Sequence, residues 1–239
     1  MRLTADAFEK LHHVSTASLT SELLKLGFRN TFMKGVHPLK KGKSLVGYAF
    51  TLRYIPARED LDLEVDYDNL TNPQRIAVEK VEQDEVLVID ARGEVSAASL
   101  GHILCTRLMC RGAAGVVTDG ALRDYPSIQE LDFATYAAGA HGTTSSVLHH
   151  PVDFQVPIGC GGVMVQPGDV IVGDDEGVVV IPSQVAEEVA HKCYDRDRLE
   201  SWIQQKIATG VSIINVYPPN EETKAEYRKW LAEQGEKTC

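Results

Sequence analysis

The stretch at residues 99–124, SLGHILCTRLMCRGAAGVVTDGALRD, constrains the fold most, because a helix, a buried strand and a turn must follow one another within it. Ser99 is a good N-cap, and apolar residues recur at helical spacing as far as Gly112, a residue type common just beyond a helix end. This pattern predicts a helix over 100–111. The apolar run at 114–117 has the β-branched content of a buried strand. The stretch therefore predicts an α/β fold.

The end of that strand carries the candidate chemistry. The pair at 119–120, Asp-Gly, is predicted to break the strand, which places Arg123 and Asp124 in a loop at its carboxyl end. Ligands of open α/β sheets bind at the carboxyl ends of the strands. Arg123 and Asp124 are therefore candidate site residues.

The remaining pattern mixes helices, strands and hairpins without an internal repeat or a linker, and it predicts one domain over 1–239. Helices are predicted at 4–13 with Thr4 as N-cap, 18–26 with Ser18 as N-cap, 73–80, 126–131, 183–210 with Ser183 as N-cap, and 220–234 with Asn220 as N-cap. Strands are predicted at 42–54, 85–91 and 133–137 and as three short runs within 156–181, with loops at 56–72 and 139–150.

Charge and cysteine content exclude several classes of protein. A net charge of −10 disfavours nucleic-acid binding, which needs clustered Lys and Arg. Five cysteines without a Cys-x-x-Cys pair disfavour a disulfide framework and a structural zinc site, so a reducing cytoplasm is expected. The N-terminus has no apolar signal region and no window is apolar enough to span a membrane. No membrane partner is therefore expected.

The acidic segment at 56–72 and the turn after the 85–91 strand have simple interpretations. Six carboxylates between Pro56 and Pro73 are typical of a solvated loop, with a cation site as the weaker alternative. Gly93 stands alone where a dinucleotide or S-adenosylmethionine fingerprint needs two or three glycines. A methyltransferase is therefore the weakest functional candidate.

The start of the helix at 100–111 predicts an anion-binding position. Arg123 can hold a carboxylate with two hydrogen bonds or neutralise a developing enolate, and Asp124 is a hard oxygen ligand suited to Mg²⁺ or Mn²⁺. Together they predict a metal-assisted site for a small keto acid, the alternative being a surface turn with a weak ion pair. The first-turn backbone amides that suit a carboxylate or phosphate belong to Gly101, His102, Ile103 and Leu104.

Three motifs resemble those of one family. The order Gly-x-x-Gly-Val-Val-x-Asp-Gly-x-x-Arg-Asp at 112–124, the segments Gly-Gly-Val at 161–163, Pro-Gly-Asp at 167–169 and DEGVVVIP at 175–182, and the entry Ser-Thr-Ala-Ser-Leu at 15–19 carry the resemblance. They resemble the family that joins 4-hydroxy-4-methyl-2-oxoglutarate aldolases to the regulator of ribonuclease activity A (RraA-like). The resemblance covers about 14–217. It implies a layered β/β/α swivelling-type (phosphohistidine-domain-like) domain, and homotrimers or homohexamers with active sites between subunits.

The resemblance also implies roles for individual residues. Arg123 is the catalytic arginine, Asp124 the metal ligand, and the amides of residues 101–104 hold pyruvate. Glu200, ten residues before Gly210, is the candidate for a glutamate supplied by a neighbouring subunit. The chain departs from the family at His102, where the aldolases carry an acid, and, more mildly, at Ser21. An imidazole removes one negative charge and can act as a base, and a packing or capping role is the alternative.

These observations predict a divalent-metal-dependent lyase, with Mg²⁺ or Mn²⁺, that cleaves a 4-hydroxy-2-oxo acid and releases pyruvate. Arg123 would stabilise the enolate, and a water held by His102 or Glu200 would take the hydroxyl proton. Oxaloacetate decarboxylation is an expected side activity because it needs the same enolate. The rival is a non-catalytic regulator that binds a ribonuclease or another protein, against which the Arg123–Asp124 pair argues.

Overall fold

The computed structural model describes residues 2–62 and 68–235, and the carboxylates at 64 and 66 and Cys239 lie outside the described residues. The helices are α1 (Ala5–Leu11), α2 (Thr16–Lys25), α3 (Glu59–Asp62), α4 (Pro73–Lys80), α5 (His102–Cys110), α6 (Tyr125–Gln129), α7 (Ala186–Ala208) and α8 (Glu221–Glu233). The strands are β1 (His37–Pro38), β2 (Leu45–Pro56), β3 (Glu85–Asp90), β4 (Ala98–Leu100), β5 (Gly115–Leu122), β6 (Ala134–Ala140), β7 (His149–Phe154), β8 (Ile158–Cys160), β9 (Val163–Val165), β10 (Val170–Gly173) and β11 (Val178–Ile181).

A nine-stranded mixed sheet forms the centre of the fold. Its order is β1-β6-β5-β3-β2-β10-β11, with β4 beside β5 and β7 beside β2. Strands β2, β3, β5 and β6 run parallel, whereas β10, β11, β7 and β1 pair antiparallel with their neighbours. The parallel strands bring the carboxyl ends of β3 and β5 to one edge, together with the short β4.

The sheet curls until it is nearly a closed barrel. Tyr136 on β6 reaches β10, which lies four positions away in the strand order, and its hydroxyl donates to the Lys43 carbonyl at 2.9 Å. A Cβ atom on Gly173 of β10 would lie 2.8 Å from the Tyr136 ring, so only glycine allows this approach. Valines of β3, β5 and β11 share the enclosed core with Tyr136.

Helices cover the outside of the curled sheet on two sides. Helices α1, α2 and α7 pack on the β2, β10 and β11 side through a buried aliphatic cluster. Helices α4, α5 and α6 pack on the same outer face farther along, over β3, β5 and the carboxyl-terminal half of β2. The prediction of a mixed α/β domain with flanking helices is confirmed, while the phosphohistidine-domain-like label stays a prediction. In the described part of the chain, no helix is long and apolar enough to cross a membrane.

Several predicted caps are displaced. Helix α2 begins after Ser15, whose hydroxyl accepts from the Ser18 amide at 3.1 Å, so Ser18 lies inside the helix. Helix α7 begins after Val185 rather than Ser183. The caps at Thr4 and Asn220 are confirmed. In both cases the predicted Ser suited a cap by residue type, but the N-cap lies two or three residues away, at Ser15 for α2 and at Val185 for α7.

Three further differences concern strands. Strand β7 lies within and beyond the predicted 139–150 loop, because its polar segment HHPVDF pairs with β2 and shows no alternation. Residues 156–181 form β8, β9, β10 and β11 rather than three runs. Strand β5 continues through the Asp-Gly pair at 119–120 to Leu122.

Candidate functional site

A cavity of about 200 Å³ lies where β4, β5, α4 and α5 meet. Arg123 and Asp124, which follow the carboxyl end of β5, line this cavity, and the amino end of α5 lies at its wall. Its walls are Gln74, Arg75, Ala98, Leu100, Gly101, Ile103, Leu104, Arg123, Asp124, Thr144 and Ser145. The cavity therefore has the position that sequence reasoning predicted, at the strand end.

Helix α5 begins at Gly101 rather than at Ser99. Ser99 lies in β4, buried, with its hydroxyl bonded to the Thr118 hydroxyl at 3.0 Å and to the Ala121 carbonyl at 2.9 Å. Its side chain is therefore not available as a cap, and Gly101 provides no capping side chain. The His102 amide instead donates to Asp124 Oδ2 at 3.3 Å. A carboxylate from the neighbouring loop thus lies at the positive end of the helix.

Gly101 lets Arg123 and Asp124 lie close to this helix start. A Cβ atom on Gly101 would lie 2.9 Å from Arg123 Nε and 3.0 Å from Asp124 Oδ2. The backbone of β5 continues toward β4, since the Arg123 amide donates to the Leu100 carbonyl at 3.1 Å. Glycine at 101 therefore creates the space in which the two side chains meet.

The turn after β5 directs both polar side chains into the cavity. Asp124 has φ 60° and ψ 33°, a left-handed conformation that aspartate tolerates better than most residues. Its Oδ2 atom lies 3.7 Å from Arg123 Nε, and both side chains are about half exposed. A pair so exposed contributes about 0–1 kcal/mol to stability.

The residues at the cavity fit a Mg²⁺ or Mn²⁺ ion that takes most of its ligands from water and substrate. Among the described residues, Asp124 is the one carboxylate on its wall, and no cluster of three metal-binding side chains occurs. Asp124 Oδ1 forms no hydrogen bond within those residues, which leaves it open to a cation. Mg²⁺ is commonly held by one or two carboxylates together with waters and substrate oxygens.

The structure brings some predicted residues together and leaves others apart. Gly101, Ile103, Leu104, Arg123 and Asp124 share the cavity wall. The His102 side chain is not on that wall, although its amide lies beside Asp124. The roles assigned to all these residues stay predictions.

Glu200 lies elsewhere on the same chain. It is on α7, where Arg196 Nε donates to its Oε1 at 2.8 Å, and it lines a separate depression with Ser15, Ser18 and Tyr217. A role for Glu200 in this cavity therefore requires a neighbouring subunit, as the family resemblance implies.

Gln74 and Arg75 are wall residues that sequence reasoning missed. Gln74 is buried and donates through Nε2 to the Tyr54 hydroxyl and the Ser99 carbonyl, both at 2.8 Å. The sequence does contain a signal for Gln74. It lies at helical spacing from the buried Ala77 and Val78, which places it on the apolar face of α4. A polar residue on such a face needs buried hydrogen-bond partners.

Asp119 is a third residue whose importance sequence reasoning missed. Its carboxylate accepts from the Ala91 amide at 2.8 Å and the Gly161 amide at 3.3 Å. Burial raises the pKa of Asp119, the hydrogen bonds from these amides oppose that effect, and the charge of Asp90 adds to it. Asp119 therefore joins β5, the end of β3 and the β8–β9 turn.

A family model described as RraA-like, aldolase/RraA, matches residues 7–180. Protein DlpA of Legionella pneumophila is 27% identical over 226 residues, which cover 93% of this chain and 34% of that protein, so the chain spans about a third of this relative. A candidate 4-hydroxy-4-methyl-2-oxoglutarate aldolase of Halalkalibacterium halodurans is 31% identical over 182 residues, 76% of this chain and 80% of the relative.

Solved structures share the fold. An uncharacterised protein of Pseudomonas syringae has a TM-score of 0.78 at 25% identity, covering 91% of this chain and 99% of that one. Streptomyces coelicolor RraAS2, described as an unusual member of the RNase ES inhibitor RraA family, has a TM-score of 0.75 at 31% identity, covering 85% and 98%.

Proposed function

The chain belongs to the RraA-like family, and from that premise we propose that it is a divalent-metal-dependent lyase that cleaves a 4-hydroxy-2-oxo acid and releases pyruvate. Candidate aldolases among its relatives support a lyase at the level of the family. The observation that carries the proposal is the convergence of Arg123, Asp124 and the amino end of α5 on one cavity.

The proposed reaction breaks the C3–C4 bond of the substrate. A base takes the proton of the C4 hydroxyl, the C4 carbon becomes a carbonyl, and the electron pair of the broken bond passes to C3 as the enolate of pyruvate. Protonation at C3 completes the second product. In this proposal the Arg123 guanidinium, half exposed on the cavity wall, would offset the enolate charge, and the first-turn amides of α5 would bind the carboxylate.

Asp124 would hold the metal ion through Oδ1, the oxygen left open in the structure. A bound Mg²⁺ or Mn²⁺ supplies Lewis-acid polarisation of a carbonyl. Oxaloacetate decarboxylation forms the same enolate, so we propose it as a side activity. Neither the His102 nor the Glu200 side chain lies on the cavity wall, so neither contacts the substrate directly in one chain. We therefore propose that a water molecule is the base, and that His102 or Glu200 holds this water in an assembled trimer or hexamer.

A coupled pyruvate assay over a panel of 4-hydroxy-2-oxo acids tests the proposal. We expect turnover that excess chelator removes and Mg²⁺ or Mn²⁺ restores, and a loss of about 100-fold or more in Arg123→Ala. Arg107→Ala is the matched control, because Arg107 is 46% exposed against 44% for Arg123 and pairs with Glu79 away from the cavity. Full activity of Arg123→Ala, or activity in excess chelator, would contradict the mechanism.

The same assay separates the enzyme from a regulator. RraAS2, which is 31% identical to this chain, is described as a member of a family of ribonuclease inhibitors, so a non-catalytic regulator is the second candidate. Tight binding to a ribonuclease with no turnover of any keto acid would favour that candidate.

A further inference from the structure

A second cavity, of about 410 Å³, adjoins the first. Gln74 and Ser145 line both, so the two cavities are neighbours on either side of these residues. Small-molecule sites usually occupy roughly 300–1,000 Å³. The volume of the first cavity alone is below this range, whereas the combined volume of the two cavities lies within it. The volume beyond Gln74 and Ser145 is therefore available to the part of a substrate that lies farther from Arg123.

The two cavities differ in charge. Arg75 and Arg123 line the first cavity, and a guanidinium group suits a carboxylate. The described residues that line the second include no Lys or Arg, and they include the carboxylate of Asp62. An anionic group there would lie near a negative charge without a cation to offset it. The second cavity therefore favours an uncharged polar group.

Asp62 and His150 form its central pair. Asp62 Oδ1 lies 2.7 Å from His150 Nδ1, and Asp62 Oδ2 accepts from the Arg58 amide at 2.9 Å. Burial alone would raise the pKa of Asp62, but the hydrogen bonds from His150 and Arg58 outweigh it and hold the pKa below its usual value. An ionised Asp62 fixes the proton on Nδ1, so Nε2 is left as an acceptor for a ligand hydroxyl.

The adjacent histidine, His149, has a structural role instead. His149 is buried, stacks on Tyr54, and accepts at Nδ1 from the Arg92 guanidinium at 3.1 Å. Its Nε2 lies 3.3 Å from the Ala97 carbonyl. Both ring nitrogens are therefore used within the fold. His150, with its side chain 33% exposed, is the histidine of the two that a ligand can reach.

Hydroxyl and amide groups complete the polar wall. The side-chain hydroxyls of Ser145 and Ser146 form no hydrogen bond to any residue that the structure describes. Asn72 caps α4 through Oδ1, accepting from the Gln74 amide at 3.0 Å, so its Nδ2 group remains as a donor. Donors and acceptors of this neutral kind match the hydroxyl groups of a polyol.

We propose that the second cavity is the subsite for a hydroxylated substrate tail, so that the preferred substrates are 4-hydroxy-2-oxo acids with two or more further hydroxyl groups beyond C4. This substrate class rests on the proposed lyase function. The keto-acid end lies at Arg123 and Asp124, and the tail passes the shared wall to reach His150. His150 is then a specificity residue, and Asp62 is a positioning residue that acts through it.

The test compares two substrates that both release pyruvate. They are 2-keto-3-deoxygluconate, which has a hydroxylated tail, and 4-hydroxy-2-oxopentanoate, which has none. We expect kcat/KM to favour the first in the unchanged protein and the preference to fall about tenfold in His150→Ala and about threefold in Asp62→Asn, mainly through KM. Turnover of the short substrate should stay within about twofold. Asp60→Asn on the same short helix α3 is the matched control.

The outcomes are distinguishable. An equal preference in the unchanged protein, or one that His150→Ala and Asp62→Asn leave intact, overturns the subsite and leaves the lyase standing. If neither substrate is cleaved, the lyase fails and calorimetric binding of gluconate against pyruvate decides the subsite. Tighter binding of gluconate that His150→Ala removes supports it, and equal binding of the two overturns it.

Discussion

Two aspartates five residues apart, Asp119 inside β5 and Asp124 just after it, have opposite surroundings. Asp119 is 8% exposed and accepts backbone hydrogen bonds from two other parts of the fold. Asp124 has a side chain 49% exposed, and one of its oxygens is open to a ligand. Asp119 thus stabilises the strand ends on which Arg123 and Asp124 are presented, and a single motif contains both a framework acid and a candidate metal ligand.

The difference shows how the candidate site can be polar without weakening the fold. Buried polar groups need partners, and Asp119 has them in the amides of Ala91 and Gly161. Asp124 stabilises little because its pair with Arg123 is open to solvent. Exchanging either residue should therefore change stability or activity, but not both to the same extent.

The largest effect is expected for Asp124→Asn. Asparagine suits the left-handed backbone at 124 and can still accept from the His102 amide, so the free energy of unfolding should change by less than about 0.5 kcal/mol. Loss of the charge should lower kcat about 100- to 1,000-fold. Denaturant unfolding and the pyruvate assay measure the two quantities. If Asp124→Asn lowered the free energy of unfolding as much as Asp119→Ala does, the two aspartates would not differ in their contribution to stability.

Asp119→Ala should show the reverse pattern. Removing the carboxylate leaves the buried Ala91 and Gly161 amides without acceptors, which should lower the free energy of unfolding by about 2–3 kcal/mol. Asp132→Ala is the control, because Asp132 is 83% exposed and its ion pair with Lys43 should contribute less than about 1 kcal/mol. Equal losses in the two variants would show that Asp119 is not a framework residue.

Gly101→Ala should give a smaller effect, confined to the site. The new Cβ would meet the flexible side chains of Arg123 and Asp124 rather than backbone, so they should move and stability should change by less than about 1 kcal/mol. Activity should fall about tenfold, because displaced groups bind the reacting atoms less well. Gly142→Ala, where an added Cβ meets nothing within 4 Å, should leave activity unchanged.

Sequence reasoning located the helix, the strand and the Arg123–Asp124 turn because all three are local patterns. It did not separate Asp119 from Asp124, since burial depends on the β8–β9 turn, forty residues farther along the chain. The same limit applies to Ser99, a sound cap by residue type that β4 instead buries beside Thr118. Local propensity is outweighed wherever a distant strand supplies the hydrogen-bond partner.

The Asp62–His150 pair was beyond sequence reasoning for a related reason. The two residues are 88 positions apart, and the strand that carries His150 has a polar sequence without alternation. The acidic composition of the segment at 56–72 predicts a solvated loop, which fits Asp60 and its exposed pair with Arg58. It does not fit Asp62, whose side chain is 14% exposed.

The smallest effect is the pH dependence of stability that follows from the burial of Asp119. Because burial raises the pKa of Asp119, the folded protein binds its proton more tightly than the unfolded chain does. The stability contribution of this group is therefore greatest at low pH and falls as pH rises from the ordinary Asp value of about 3.9 through the raised folded pKa. The free energy of unfolding of Asp119→Asn, measured against the unchanged protein, should accordingly improve as pH rises over that window. A difference for Asp119→Asn that is flat with pH, or that worsens as pH rises, would mean that hydrogen bonds to the carboxylate outweigh its burial.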